Sequence, residues 1–396
     1  MFIYADNAAT TKMTKAAIDA MLPYMADLYA NPSSLHSPGQ KIAADLAAAR
    51  EKIARILNCE PREIIFTSGG SEADNQALIS AAKMGERKGK KHIISTAFEH
   101  HAVLHTLKAL EKEGFEVTLL DVGENGIVTP DKVEAAIRED TCLVSVMYAN
   151  NEIGTIQPIA EIGKLCRDKK VLFHTDAVQA VGHLKIDVKE ENIDMLSLSA
   201  HKFGGPKGIG ALYAKRGILT TNLIHGGAQE RGRRAGTENI PAIMGMAAAL
   251  EESVSKMDEA AAKSIKLRDA LIEGLSKIPH SALNGDRVHR LPNNVNFSFE
   301  GIEGESLLIL IDDKGIAASS GSACASASLD PSHVLLAIGR PHEVAHGSLR
   351  LTLSEENTEE EVKYIIESVT EVVDRLRKMS PVWRDLESGK KEFMLK

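Results

Sequence analysis

Short apolar runs and longer stretches of mixed apolar and polar residues follow one another along this chain. From about residue 60 to residue 215, short apolar runs of strand length alternate with stretches of helix length. This repeated strand–helix–strand order predicts an α/β fold with a doubly wound, mainly parallel sheet. The predicted strands are Glu63–Thr67, His92–Ser95, Glu116–Val122, Cys142–Tyr148, Val171–His174, Asp194–Ser197 and Gly210–Ala214. The predicted helices between them are Ser71–Lys88, His101–Lys112, Pro130–Arg138 and Pro158–Asp168.

Helical patterns also flank this region. Before it, apolar residues recur at steps of three and four, which predicts an amphipathic helix around residues 42–56. After it, the alanine-rich stretch 241–278 predicts a helical connection into a second domain of roughly 130 residues. A chain of 396 residues is long enough for two such domains.

Composition and charge narrow the class of protein. Hydrophobic residues make up 43% and charged residues 26% of the chain, as in ordinary globular proteins. The formal net charge of -8 argues against a nucleic-acid binder, because no basic excess is available for phosphates. No apolar run approaches the roughly 18 residues of a membrane helix, and the amino terminus lacks a signal pattern. The 4 cysteines form no CxxC pair, so we expect no disulfide framework, no zinc site and a cytoplasmic location.

The most informative stretch is SLSAHKFGGPKGIG, residues 197–210, which places Lys202 between two predicted strands. A lysine at the mouth of a sheet, short of solvent and beside Lys207, is expected to have a lowered pKa. Such an amine can attack an aldehyde. The alternative is a surface lysine in a glycine-rich turn.

Other reactive side chains also come just after predicted strands. They are expected to meet at one edge, because ligands bind at the carboxyl ends of the strands in such sheets. The residues in question are Ser71, His100, Asn151, Asp176 and Lys202.

Three of these positions also have a purely structural interpretation. Gly70 and Ser71 open a predicted helix and suit a phosphate, but Ser71 can equally be an N-cap. Asp176, followed by Gln179, can keep a heterocyclic nitrogen protonated, or it can cap a helix. His100 can stack on a flat ring and exchange protons near neutral pH, or it can be a helix-start histidine whose ring is satisfied by a neighbouring carbonyl.

Two candidates lie in the last third of the chain. Cys324 sits in a run of small residues, 317–328, which predicts an accessible loop suited to nucleophilic transfer. Cys142 and Cys166 lie in apolar patterns and are predicted to be core residues. Arg350 can bind a carboxylate with two hydrogen bonds, the alternative being a surface cation. The glycine- and arginine-rich loop 226–240 predicts an anion contact or a solvated loop.

Taken together, these stretches resemble the pyridoxal-phosphate-dependent cysteine desulfurases of the NifS/IscS type, in the class-V aminotransferase family. The SSGSAC stretch is similar to the branch of that family with the longer, mobile cysteine loop. The stretches that carry the resemblance are DNAATT, NPSSLH, TSGGSEADN, EHHAV, NNEIGTIQP, HTDAVQA, SAHKFGGPKGIGALY, RAGTENI and SSGSACASASLDPS.

The resemblance implies the type I fold of pyridoxal-phosphate-dependent transferases and a homodimer with active sites near the subunit boundary. It implies a large domain over 16–258, and a small domain made of 1–15 and 259–396. The small domain would carry the cysteine loop at about 315–330. Ser71 stands where many relatives have threonine, and the tail 385–396 extends past the usual ending of the family.

The resemblance also implies pyridoxal 5'-phosphate as cofactor and a role for each matching residue. Lys202 would hold the cofactor as a Schiff base, His100 would stack on its ring, and Cys324 would accept the sulfur. Asp176 would pair with the ring nitrogen and Gln179 with the ring oxygen. The phosphate ligands would be Gly70, Ser71, Ser199 and His201, together with Thr237 from a second subunit. Asn151 would contact the cofactor, and Asn151 and Arg350 would orient the substrate.

The implied activity converts L-cysteine to L-alanine and leaves the sulfur on Cys324 as a persulfide. The sulfur would pass to iron–sulfur cluster assembly through a scaffold protein of the IscU/NifU type, or to another acceptor. The alternatives are a selenocysteine lyase or aminotransferase of the same fold, or a non-catalytic sulfur-relay partner. No metal site is predicted, and whether a cluster held by a partner contacts Cys324 is left open.

Overall fold

The computed structural model describes residues 2–320 and 331–395. Its helices are α1 (Lys15–Ala26), α2 (Ser37–Ile56), α3 (Gly70–Glu86), α4 (His101–Lys112), α5 (Pro130–Ala136), α6 (Ile159–Lys169), α7 (Ile240–Ser255), α8 (Met257–Leu275), α9 (Gly304–Asp312), α10 (His333–Ala337), α11 (His342–His346), α12 (Glu359–Met379) and α13 (Pro381–Glu387). Its strands are β1 (Ile3–Tyr4), β2 (Ile64–Thr67), β3 (His92–Thr96), β4 (Glu116–Leu120), β5 (Thr141–Ser145), β6 (Leu172–Asp176), β7 (Met195–Ser199), β8 (Gly210–Ala214), β9 (Ser281–Leu283), β10 (Asn294–Phe299), β11 (Ile316–Ala317) and β12 (Ser348–Thr352).

A seven-stranded sheet forms the centre of the molecule, with strand order β2-β8-β7-β6-β5-β3-β4. The strands from β7 to β4 along this order pair in parallel. Strand β8 runs antiparallel to both of its neighbours, so β2 points in the same direction as β7. The predicted α/β class with a mainly parallel sheet is therefore confirmed.

Apolar residues cover both faces of this sheet. The strands β3, β5, β7 and β8 are buried along their whole length, as expected for strands between two helical layers. One apolar cluster includes Ile53, Phe173 and Leu198, and the cluster on the other face includes Leu78 and Leu143. The edge strand β4 is exposed or partly exposed along its length.

A second apolar core lies around the three-stranded antiparallel sheet β12-β10-β9. Helices α8, α9 and α12 pack against it, with Leu271, Phe297, Leu351 and Val369 at its centre. The amino-terminal strand β1 also joins this core through its parallel pairing with β11. The division into domains at residues 15 and 258 stays a prediction.

The predicted boundaries are accurate for some elements and wrong for others. Strand β8 and helix α4 have the predicted bounds. The predicted strand at 142–148 ends at Ser145, and the helical stretch 241–278 breaks at Lys256, whose φ of -105° and ψ of 1° are not helical. Cys142 and Cys166 are buried, as predicted. No helix among residues 2–320 and 331–395 is both long and apolar enough to span a membrane.

Candidate active site

The carboxyl edge of the large sheet gathers several of the candidate residues. Asp176 is the last residue of β6, and its register partner in β7 is Ser197. Lys202 ends the short 3-10 turn Ala200–Lys202 that directly follows β7. Because β2, β6 and β7 point the same way, the start of α3 after β2 lies at this edge too.

The amino-terminal segment contacts the Lys202 side chain directly. Lys202 Nζ donates hydrogen bonds to the carbonyl oxygens of Ala8, at 2.5 Å, and Ala9, at 3.0 Å. His183 Nε2 donates to the Lys202 carbonyl oxygen at 2.9 Å, which fixes the backbone at this position. The amine is thus held at the sheet edge by main-chain acceptors, and Lys202 is half-buried in a turn that leads into the glycine run.

Asp176 and His100 lie side by side. Asp74 lies beside them. A carboxylate oxygen of Asp74, a ring nitrogen of His100 and a carboxylate oxygen of Asp176 all lie within 4.8 Å of one another. Burial raises the pKa of the Asp176 carboxyl, and His100 and Lys202 oppose that rise. Burial lowers the pKa of the His100 imidazole. A buried carboxylate in this place favours a cationic partner.

The structural alternatives for these two residues have different outcomes. No helix follows Asp176, so the N-cap interpretation is wrong; its Oδ1 instead accepts the Val178 N–H at 2.9 Å. His100 is the N-cap of α4, and its Nδ1 accepts the Ala102 N–H at 3.1 Å. His100 therefore caps a helix and lies beside Asp176 at the same time.

Two buried carboxyl groups stand close to Asp176 and were not predicted from the sequence. Asp74, on the inner face of α3, is 1% exposed, and its Oδ1 lacks a hydrogen-bond partner in the described part of the chain. Glu99 Oε1 accepts from Thr96 Oγ1 at 2.6 Å and from the Met147 N–H at 3.0 Å. Burial raises the pKa of Glu99 to about 8. In the sequence, Asp74 lies three residues after Ser71, and Glu99 directly precedes His100. This closeness to two candidate residues was the signal that could have identified both carboxyl groups.

The start of α3 lies beside Ser199. A Cβ on Gly70 would come within 2.6 Å of Val178 Cγ2 and 3.6 Å of Ser199 Cβ, so this approach requires glycine. The N-cap of α3 is Gly69, so the N-cap interpretation of Ser71 is wrong. Ser71 and His100 line the same cleft, which has a volume of about 360 Å³. The amino end of this helix, flanked by hydroxyl groups, is suited to a phosphate.

His201 and Gln179 connect this edge to the amino-terminal segment. His201 Nδ1 lies 3.1 Å from Thr10 Oγ1, and Gln179 Nε2 donates to the Ala8 carbonyl oxygen at 3.0 Å. Burial lowers the pKa of His201 to about 4, and the cations Lys202 and Lys207 add to this effect. The imidazole is therefore neutral at neutral pH.

Arg350 is not a surface cation, because it is only 1% exposed. Its Nη2 donates to Asp6 Oδ1 at 2.8 Å, and its Nη1 donates to the Asn151 carbonyl oxygen at 3.2 Å. Its buried Nε has no hydrogen-bond partner among the described residues. The guanidinium is thus fixed on one side and retains donors for a further acceptor.

Cys324 lies outside the described residues, but the segment before it is anchored at the site. Ser319 and Arg350 exchange backbone hydrogen bonds of 3.2 Å and 2.6 Å. Ser348 Oγ donates to the Ser320 carbonyl oxygen at 2.6 Å. The chain therefore enters the cysteine segment directly beside Arg350.

The chain also leaves the cysteine segment at the site. Ser332 Oγ donates to Glu152 Oε2 at 2.5 Å and also caps α10. His333 Nε2 donates to the Glu99 carbonyl oxygen at 2.9 Å. Both ends of the segment that carries Cys324 are thus bound to residues around the sheet edge.

Thr237 is the candidate that the structure does not bring into this group. It is exposed in the loop before α7. In the same loop, Arg234 Nε donates to Glu72 Oε1 at 3.0 Å, so this arginine binds a carboxylate of its own chain. Whether the loop also contacts a bound anion stays a prediction.

Comparison with known proteins gives a consistent family. The family described as aminotransferase class-V matches residues 3–365. A cysteine desulfurase IscS from Clostridium botulinum is 55% identical over 393 residues, covering 98% of this chain and 99% of the relative. A solved NifS-like protein superposes with a TM-score of 0.89 at 39% identity, covering 95% of this chain and 100% of the other. A structure of SspA in complex with cysteine gives a TM-score of 0.78 at 38% identity, covering 90% of this chain and 100% of the other.

Proposed function

This chain belongs to the aminotransferase class-V family and is a cysteine desulfurase, and we propose that Lys202 and Cys324 carry out its two chemical steps. In this proposal Lys202 would hold pyridoxal phosphate through its amine, and L-cysteine is converted to L-alanine. Cys324 receives the sulfur. The observation that carries the proposal is that the Lys202 amine and the Arg350 guanidinium both bind the amino-terminal segment, while Lys202 is close enough to Asp176 to oppose the rise of its pKa.

The residues at the sheet edge fit pyridoxal phosphate. The ring nitrogen needs a carboxylate that keeps it protonated, and Asp176 is a buried carboxyl group whose pKa is raised by burial, an effect that a cationic partner would oppose. The phosphate needs donors, and Ser71, Ser199 and the amino end of α3 supply them at one place. An amine for the aldehyde is present at Lys202 Nζ.

When bound, the cofactor draws electrons from the α-carbon of an amino acid and so makes its α-proton acidic. The protein residues do the rest. The Lys202 amine takes the proton from the α-carbon and returns a proton to the product. Asp176 would keep the ring nitrogen protonated, and His100 would lie against the face of the ring. Arg350, with Asn151, orients the substrate carboxylate, and Gln179 is assigned to the ring oxygen.

The sulfur moves from the substrate to Cys324. The Cys324 thiolate attacks the substrate sulfur, the carbon–sulfur bond breaks, and its electron pair stays with carbon, which is then protonated. The products are a persulfide on Cys324 and L-alanine, so no external oxidant is needed. Support comes from the two anchors of the segment, at Ser319 and Ser332, which both lie at the site.

The proposal includes a homodimer in which Thr237 of one subunit contacts the phosphate bound to the other. It is supported by the exposure of Thr237 and by large apolar side chains on and after α1, with Tyr29 83% and Leu35 93% exposed. Delivery of the sulfur to a scaffold protein of the IscU/NifU type, in the cytoplasm, fits the kinship with IscS proteins.

The proposed roles of Lys202 and Cys324 are tested by measuring alanine and sulfide together after adding L-cysteine and a reductant. Lys202→Ala should lose the visible absorption of the bound cofactor and both products. Cys324→Ser should keep the absorption but release no sulfide. Cys59→Ser, at a half-buried thiol, is the matched control and should release sulfide normally. Full sulfide release by Cys324→Ser contradicts the assignment and means that another thiol accepts the sulfur. A protein that binds no cofactor favours a sulfur relay.

A further inference from the structure

Asp6 is the partner of the buried Arg350. The ion pair has a distance of 2.8 Å, and the two side chains are 19% and 2% exposed, respectively. A buried arginine without a counter-charge is strongly unfavourable, so Asp6 compensates the Arg350 charge when no ligand is present. Aspartate at this position was part of the DNAATT stretch, but no role follows for it from the proposed function.

The Asp6 carboxylate is held in place by the backbone around it. Asp6 forms a parallel bridge with Thr352, and the Asn7 N–H and side-chain amide both donate to the Thr352 carbonyl oxygen, at 3.3 Å and 2.8 Å. The Tyr4 hydroxyl donates to the Asp6 carbonyl oxygen at 3.2 Å. Thr352 and Arg350 are two residues apart on β12 and therefore share a face of the strand. Asp6 thus meets Arg350 from a rigid position.

The guanidinium has five N–H groups, of which one is bound to Asp6 and one to the Asn151 carbonyl oxygen. Its buried Nε–H has no partner in the described part of the chain. We propose that Asp6 is a positioning residue for the reaction, which holds the Arg350 guanidinium so that its remaining N–H groups bind the substrate carboxylate at two points. The proposal rests on the proposed function and extends it to a residue that acts through Arg350.

The same segment sets the place of the reactive amine. Ala8 and Ala9, two and three residues after Asp6, accept the hydrogen bonds of Lys202 Nζ. The α-carbon of a bound amino acid must lie next to this amine while its carboxylate lies on Arg350. Residues 6–9 therefore fix both ends of the substrate relative to each other, and Asp6 is the part that acts on the carboxylate end.

The test uses the cofactor-loaded protein and isothermal titration calorimetry with two ligands. L-alanine has the carboxylate that Arg350 would bind, and ethylamine lacks it. Asp6→Ala should weaken L-alanine binding about tenfold, which corresponds to about 1.4 kcal/mol. It should leave ethylamine binding unchanged and raise the KM for L-cysteine more than it lowers kcat. Asp6→Asn keeps an acceptor oxygen and should lose about threefold or less. Asp121→Ala, an exposed aspartate, is the control.

Two results would overturn the inference while leaving the proposed function intact. In one, the wild-type protein binds L-alanine and Asp6→Ala binds it equally well. In the other, Asp6→Ala and Asp6→Asn weaken L-alanine and ethylamine by the same factor, which indicates general damage to the site. If the wild-type protein binds neither ligand and does not desulfurate L-cysteine, the proposed function fails and the inference fails with it.

Discussion

The buried ion pair between Arg50 and Glu230 should contribute strongly to the stability of the glycine- and arginine-rich loop. Arg50 Nη2 and Nη1 donate to the two Glu230 carboxylate oxygens at 2.6 Å and 2.7 Å, and the side chains are 8% and 2% exposed. Glu230 also accepts the Phe66 N–H at 3.0 Å, and Arg50 donates to the Ile64 carbonyl oxygen at 2.9 Å. The pair therefore ties the loop to β2.

The backbone at this point adds to the expected effect. Glu230 and Arg231 have φ angles of 49° and 59°, which non-glycine residues rarely adopt. Such residues cost about 1–3 kcal/mol each and persist only when their surroundings hold them. Removing one member of a buried ion pair costs about 3–5 kcal/mol, because the other charge is left buried without compensation. Glu230→Gln should therefore remove a large part of a typical unfolding free energy of about 5–15 kcal/mol.

The assay is urea unfolding followed by far-ultraviolet circular dichroism, on a double-mutant cycle. Glu230→Gln and Arg50→Met should each destabilise the protein, and the double variant should be less destabilised than the sum of the two. Asp19→Asn breaks the exposed pair with Lys15, 55% and 85% exposed, and should cost under about 0.5 kcal/mol. Additive effects of Arg50→Met and Glu230→Gln, or a cost as small as that of Asp19→Asn, would refute the reasoning.

Two further predictions concern other buried positions. The pKa of Glu99 is raised to about 8 in the folded protein, so the folded state binds a proton that the unfolded chain releases near pH 4.5. Stability should therefore fall as pH rises through this window, and Glu99→Gln should flatten the dependence of the urea midpoint measured at pH 5, 7 and 9; an unchanged slope would contradict the burial argument. Gly163→Ala places a Cβ 2.0 Å from the Glu191 carbonyl oxygen. It should destabilise α6 by about 1–3 kcal/mol, although alanine normally favours a helix. The exposed neighbour Lys164→Ala should change the urea midpoint little, and a stabilised Gly163→Ala protein would show that the loop can move away.

The sheet was predictable from the sequence because its strands are apolar on both faces and bounded by turns. That pattern gave the class of fold and placed Asp176 and Lys202 after their strands. The antiparallel direction of β8 was not predictable, because an apolar run does not show whether its strand will pair in parallel or antiparallel with its neighbours. The site residues themselves were found by their chemistry and position, and their roles remain proposals.

Burial was the property that sequence reasoning could not supply for charged residues. Arg350 was compatible with a surface cation, yet it is buried against Asp6, 344 positions away in the chain. Asp74 was not singled out from the sequence, although one of its carboxylate oxygens lies within 4.8 Å of Asp176. Both depend on contacts between distant segments, which periodicity within one segment does not reveal.

The site lies between two apolar cores. The segments that meet there are therefore joined by hydrogen bonds, many of them from backbone groups. Asp6 and Arg350 stand on the elements of the smaller sheet, whereas Lys202 and Asp176 stand on the large one. Hydrogen bonds join the two halves, such as Asn296 Nδ2 to the Glu152 carbonyl oxygen at 3.1 Å. A relative shift of the two sheets would move Arg350 against Lys202, and the bridging segment 6–9 opposes that shift. Precise spacing of an amine and a guanidinium therefore follows from how the amino terminus is anchored, and it does not depend on either core alone.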